Sequence, residues 1–280
     1  MASRFVEKSW AHLSSPQATT DDLAEGALLI AAHEYPELDM AASLHRLQDM
    51  ADTLRRRMRA DIGRSEMLVA LNHYLFEQLG FRGNAVDYYD PRNSYLNEVM
   101  ERRLGIPISL SVLYIDIGRR LGLPLEGMSF PSHFLVKCAL RTGVLVLDPF
   151  AKGVSLGTEE LQRRLGEATQ SKGDAEMLHI ALRSASVAEI LARMLRNLKA
   201  IYLHHADLEK ALWAADRIVT LLPAAAGEYR ERGHIYLQLE CFRAALTDFC
   251  SYARLAPDAA RAEGIAATIA ELQQRTARLN

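Results

Sequence analysis

Cysteine is scarce in this chain, with three in 280 residues: Cys138, Cys241 and Cys250. They are odd in number, widely spaced and without a Cys-x-x-Cys pair, which excludes a disulfide framework and a cysteine-based zinc site and leaves reduced thiols as the expectation. Long apolar runs are also missing. Nothing approaches the roughly 18 to 20 residues needed to cross a bilayer, and the first eight residues lack the apolar stretch of a signal peptide, so a cytoplasmic protein away from membranes is expected. Nor does one charge dominate. The 33 basic and 35 acidic residues give a net charge of −2, which removes the broad positive footprint of a protein that neutralises many phosphates, and no nucleic-acid partner is expected. A glycine-rich phosphate loop is absent, since Gly118, Gly122 and Gly127 are interrupted by Arg119, Arg120 and Pro124. His33-Glu34-Tyr35-Pro36-Glu37 is not His-Glu-x-x-His, and Pro36 would break the helix that such a site requires. The adjacent His204 and His205 point to different sides of a helix. Neither a metal nor a cofactor is expected.

What the chain does contain is enough length for two modules and a core that needs no staples. The first eighty residues read as helices. Thr19-Thr20-Asp21-Asp22 offers capping groups for a helix that stops before Pro36. Met40, Leu44, Leu47, Ala51, Leu54 and Met58 are spaced 4, 3, 4, 3, 4, laying one apolar stripe along a second helix. Arg55, Arg56, Arg57 and Arg59 fall on its solvated side. A third helix from about Ser65 ends at Leu79-Gly80, where glycine suits a left-handed cap.

The middle segment changes character. Gly83 to Arg92 is turn-rich, Asn93-Ser94 can cap a helix reaching Leu104, and Ser109 to Leu121 is apolar enough to be a buried helix. Strand-like runs follow at Leu125 to Phe130, His133 to Leu140 and Val144 to Leu147. A buried helix followed by an antiparallel meander predicts an α+β class.

From about residue 187 strands vanish and a repeat takes over. Tyr202, Leu208, Ala211, Ile218, Leu221 and Pro223 recur thirty-four residues later as Tyr236, Phe242, Ala245, Tyr252, Leu255 and Pro257. This period resembles the tetratricopeptide repeat. It departs from that pattern where Gly233 has Lys199 as its counterpart, so the first repeat is expected to bend differently. A final helix is expected from Ala259 to Ala277. The expected modules are residues 1–186 and residues 187–280, the second binding a protein or peptide.

Residues 105 to 150 carry the chemistry. Gly105-Ile106-Pro107-Ile108-Ser109-Leu110-Ser111 opens the buried helix, His133 follows in Phe130-Pro131-Ser132-His133-Phe134, and Asp148 lies in Leu147-Asp148-Pro149-Phe150. In order, spacing and strand context this resembles the transglutaminase-like superfamily, and more closely its SirB-type bacterial members with C-terminal tetratricopeptide repeats. Asn93-Ser94-Tyr95-Leu96-Asn97-Glu98-Val99 and Arg230-Glu231-Arg232-Gly233 also match. The resemblance implies a transglutaminase-like (papain-like) core and a site in which a cysteine at the start of the buried helix is activated by a histidine, with an aspartate fixing the imidazole tautomer. His133 and Asp148 fit. The cysteine does not: fifteen residues before Gly122 stands Pro107, which suits a first helical turn but has neither a thiol nor an N–H. Cys138 is not expected to replace it, because five strand positions separate it from His133.

Ser109 has two readings, a helix-start cap, which is the commoner role of serine there, and a nucleophile with His133 as base. Ser111 is turned about 200° away from the same helix face. Asn93, Asn97 and Tyr114 are candidate ligand-binding residues, with capping the simpler role for Asn93 and core packing for Tyr114. The leading expectation is a non-catalytic interaction protein with a regulatory role and a degenerate site. The alternative is a hydrolase or acyltransferase using Ser109, His133 and Asp148.

Overall fold

The computed structural model describes residues 10–141, 143–170 and 175–277. They form two compact units, one of Pro16–Met194 and one that gathers the chain from Leu195 onward with the segment ending at Ser15. The expected boundary between residues 186 and 187 therefore falls eight residues short of the observed division, and Trp10 and Leu13 are buried with the second unit rather than the first. There the guanidinium of Arg217 lies 5.7 Å from the Trp10 ring.

In the first unit three helices lead: α1 (Leu23–Glu34), α2 (Met40–Arg57) and α3 (Arg64–Asn72). Asp39 caps α2 by accepting from Ala42 N, and Leu47, Ala51 and Leu54 of the apolar stripe are buried. Beyond α3 the chain widens into a π-helical stretch, His73–Gln78, and ends at Gly80 with φ +76°. Helix α4 is Leu96–Arg102 and α5 is Pro107–Arg120. Two short parallel strands that the sequence did not reveal, β1 (Arg82–Gly83) ahead of α4 and β2 (Leu104–Gly105) between α4 and α5, bring the turn-rich segment beside the start of α5.

Helix α5 is the axis of this unit, with every residue from Pro107 to Gly118 buried. Ile106 at its N-cap is extended, and Pro107 takes the first position, where a missing N–H leaves no hydrogen bond unmade. The other end closes on Gly122 at φ +93°, with Leu123 N donating to Gly118 O at 2.9 Å and Gly122 N to Arg119 O at 2.8 Å. That is the paired closure which a left-handed glycine allows.

The sheet is an antiparallel meander of β3 (Leu125–Met128), β4 (Leu135–Leu140), β5 (Gly143–Asp148) and β6 (Val154–Leu156). In register, Met128 faces Leu135, Val136 faces Leu147, and Asp148 faces Val154. Helices α6 (Thr158–Thr169) and α7 (Ala175–Ala181) supply Leu161, Leu165, Leu178 and Ala181 to a core with Met128, Phe130, Leu135 and Val146.

Helix α8 (Val187–His204) contains the division between units. The second unit continues with α9 (Leu208–Leu221), α10 (Ala226–Gln238) and α11 (Phe242–Leu255), so α9 and α11 stand thirty-four residues apart at both ends. The single terminal helix expected from Ala259 is two, α12 (Pro257–Ala262) and α13 (Ile265–Ala277), broken at Gly264 with φ +68°.

The Lys199 departure has a physical partner one helix away. A Cβ at Gly233 would stand 3.1 to 3.3 Å from the Phe249 ring, and the position thirty-four residues before Phe249 is Ala215. Large ring with glycine in one repeat thus answers to small residue with lysine in the other. Lys199 is buried and carries its ammonium to Glu228 Oε2 at 2.8 Å and Glu231 Oε2 at 2.5 Å, while Arg196 Nε holds Glu228 Oε1 at 2.6 Å.

Candidate functional site

His133 is placed by a turn, not by a strand. Its N–H donates to Phe130 O at 3.1 Å, Pro131 takes the second position of the turn, and Ser132 the third at φ +56°. That positive angle is the one a type II turn requires and usually assigns to glycine. Strand β4 starts only at Leu135, so face alternation does not govern the relation between His133 and Cys138. Cys138 is buried on β4 opposite Leu125 and Leu145, and burial pushes its thiol pKa up. A thiol so placed is inert rather than activated.

Asp148 ends β5 and caps the short 3-10 turn Pro149–Ala151, accepting at Oδ1 from Phe150 N at 3.1 Å and Ala151 N at 3.2 Å. His133 Nε2 stands 2.9 Å from the same oxygen, and Arg164 Nη1 on α6 stands 2.9 Å from Oδ2. Burial is the strongest single influence and would raise this carboxyl. The hydrogen bonds and charges of His133 and Arg164, with the Ala151 N–H, outweigh it and hold Asp148 below the usual carboxylate range. An ionised Asp148 fixes Nε2 as a protonated nitrogen, and Nδ1 is the ring nitrogen left outside this contact.

Around the ring, Phe150 sits edge-on with centroids 6.1 Å apart, and Tyr88 sits edge-on to Phe150 at 6.5 Å. Phe150 seats over Gly83, where a Cβ would come within 2.3 Å of its ring. Arg193 Nη2 of α8 donates to the His133 carbonyl at 3.2 Å. Tyr88, Phe150, Arg164 and Arg193 were not singled out by the sequence; an Arg four residues after Glu160 on a helix reads as a surface pair.

The structure joins His133 to Asp148 and engages the other candidates elsewhere. Ser109 is fully buried; its hydroxyl donates to Asn93 O at 2.5 Å and accepts from Ile106 N at 3.1 Å, and no hydrogen bond links it to His133. Ser111 bonds back to Pro107 O at 2.7 Å within the helix. Asn93 does not cap α4, whose N-cap is Tyr95. Its side chain instead clasps the turn-rich loop, accepting from Asn84 Nδ2 at 3.1 Å and donating to Asp87 O at 2.7 Å and Tyr88 O at 3.3 Å. Tyr114 is core: it stacks on Phe76 with centroids 6.1 Å apart and donates to Asn72 Oδ1 at 2.7 Å, and Asn72 in turn donates to Gly153 O at 2.9 Å. Asn97 Oδ1 is buried with no hydrogen-bond partner among the described residues. Among the same residues no group of three or more His, Cys, Asp or Glu side chains is arranged to hold a metal, and no helix is long and apolar enough to cross a membrane.

This geometry agrees with what the chain is similar to. Residues 41–196 match the transglutaminase-like superfamily and residues 198–270 the tetratricopeptide repeat. A UPF0162 protein of Xylella fastidiosa (strain Temecula1) is 42% identical over 262 residues, covering 92% of each chain. A UPF0162 protein of Vibrio cholerae is 32% identical over 247 residues, 86% of this chain and 89% of that one. F-box only protein 21 of Mus musculus is 37% identical over 145 residues, 49% of this chain and 22% of that protein. A buried helix before a meander that pairs a histidine with an aspartate, followed by thirty-four-residue helical repeats, identifies the chain as a member of the transglutaminase-like superfamily, in the UPF0162 family of bacterial proteins.

Proposed function

We propose that the chain is a non-catalytic interaction protein of the cytoplasm with a regulatory role, in which the repeats hold a protein segment and the transglutaminase-like unit keeps its His133-Asp148 pair for structure and ligand capture. One observation carries this reading: the hydroxyl nearest the start of α5 is spent, with Ser109 satisfied by Asn93 O and Ile106 N, while Pro107 offers no nucleophile. A buried serine bonded at both lone pair and proton would lose two hydrogen bonds before it could attack a substrate. In solution the full chain is expected to show no esterase, amidase or acyl-transfer rate above a His133→Ala control. A rate that disappears in both Ser109→Ala and His133→Ala overturns the reading. It would establish the alternative, a hydrolase or acyltransferase with Ser109 as nucleophile, His133 as base and Asp148 as orienter, which the 2.9 Å His133–Asp148 contact favours.

A further inference from the structure

The His133 ring is held by more buried machinery than packing requires. Asp148 receives four N–H donors, from His133, Phe150, Ala151 and Arg164, and Arg164 is itself held by Glu160 at 2.7 Å. All of it serves one edge of the imidazole. On the other edge Nδ1 carries no hydrogen bond among the described residues, and the side chain is 20% exposed. Edge-on to the Phe150 ring, Tyr88 has a hydroxyl that likewise carries no hydrogen bond among the described residues, and the residue is 40% exposed.

The loop that presents Tyr88 is also built rather than slack. Asn84 and Asn93, both buried, clasp each other at 3.1 Å, and Asp90 is neutralised by Arg92 and Arg102. This scaffold holds Val86, Tyr88 and Tyr89 on the surface, three exposed large apolar side chains within four residues. A sequence that orders a loop with buried amides and then exposes aromatic rings marks a contact surface. The charged and titratable groups around it include Tyr89, edge-on to the Tyr88 ring at 5.4 Å, Arg193, whose charge acts on the Tyr88 hydroxyl, the exposed Asp87, and the His133-Asp148 pair.

We propose that this corner binds a carboxylate carried by a peptide, with His133 Nδ1, the Tyr88 hydroxyl and the Arg193 guanidinium as donors and the Phe150 and Tyr88 rings as the apolar wall. The carboxylate takes a proton-bearing Nδ1 as partner, so the imidazolium, flanked by Asp148 behind and the ligand in front, is the binding form. Tyr88 supplies a neutral donor because burial disfavours its phenolate. The inference rests on the reading of the His133-Asp148 pair as a ligand-capturing element, but its readout is binding, so its failure and the appearance of catalysis are separate results.

The test uses the full chain with ¹⁵N-labelled histidine, His133 signals being identified by their loss in His133→Gln. Three probes are titrated near pH 6: N-acetylphenylalanine, N-acetylphenylalaninamide, and the α-amide of N-acetylaspartate, whose carboxylate lies on the side chain. Saturable shifts of the His133 ring are expected with one or both carboxylates, about tenfold weaker with the neutral amide, and weakened severalfold by Arg193→Gln and by Tyr88→Phe. Whichever carboxylate binds more tightly tells a chain terminus from an acidic side chain. Two results overturn the proposal: His133 signals that neither carboxylate moves or that the amide moves equally, and wild-type affinity in both Arg193→Gln and Tyr88→Phe.

Discussion

Each unit buries an ionic cluster, and the two are built to different ends. Around Lys199 every charge closes on another within the repeats: the ammonium on Glu228 and Glu231, Glu228 again on Arg196. Around Asp148 the network stays open at one point, the far nitrogen of His133. A closed buried cluster specifies packing, since ions without water are tolerated only when fully paired. An open one leaves a group that can still take a partner outside the cluster. The difference teaches that burial of charge is by itself no sign of a site; what counts is whether the hydrogen-bond chain ends inside the protein.

The comparison is broken most severely by Asp148→Ala, which leaves Arg164 and two backbone N–H groups facing a void and should destabilise the first unit by about 3 to 5 kcal/mol. Urea denaturation would measure the loss, and the His133 ring would lose its fixed orientation. Lys199→Ala is expected to cost somewhat less, about 3 kcal/mol, because Glu228 retains Arg196. It should leave the His133 resonances untouched, which separates the closed cluster from the open one.

Acid sharpens the same contrast. Asp148 and Glu228 both lie below the ordinary carboxylate range, each against the pull of burial, the first through His133 and Arg164, the second through Lys199 and Arg196. A depressed folded value means that the stabilisation is complete above the unfolded value of about 4 and is lost as pH falls through the folded one. Denaturation midpoints should therefore hold from neutrality to about pH 5 and drop below about 4, with a shallower drop in Asp148→Asn. Ser109→Ala, which strands Asn93 O and Ile106 N in the interior, should cost about 1 to 3 kcal/mol in the same assay. Tyr114→Phe, which removes only the bond to Asn72, should cost about 1 kcal/mol.

Much of the fold is legible from periodicity. The stripe from Met40 to Met58 predicts α2 to within a residue, and the thirty-four-residue recurrence predicts the equal spacing of α9 and α11. These are local signals repeated over many residues. The pairing of His133 with Asp148 is legible through the resemblance to the transglutaminase-like superfamily, whose pattern these two residues match in order and spacing. What escapes is set by contacts between distant segments. Strand β6 and the β1-β2 pair are too short for alternation to register, and Asn93, which looks like a helix cap, is claimed by Asn84 nine residues earlier. Arg164 and Arg193 sit on helices where an arginine usually means solvent, and only the fold turns them toward Asp148 and the His133 carbonyl.

The π-helical stretch after α3 has a consequence for how this protein tolerates change in length. Tyr74, Leu75 and Phe76 are consecutive and all buried, with Arg57 5.5 Å from the Tyr74 ring and Phe76 stacked on Tyr114. A wider turn accommodates one more residue than an α-helical turn would. Deleting a single residue there would let the turn close to α-helical geometry with the residues beyond it near their present places, whereas the same deletion within α3 would rotate one side of the cut against the other by about 100°. The stretch acts as a spacer in the chain's numbering: it can absorb a change of one residue, whereas a shift inside α3 would alter what meets Tyr114, and with it the footing of Asn72 under the loop that follows Asp148.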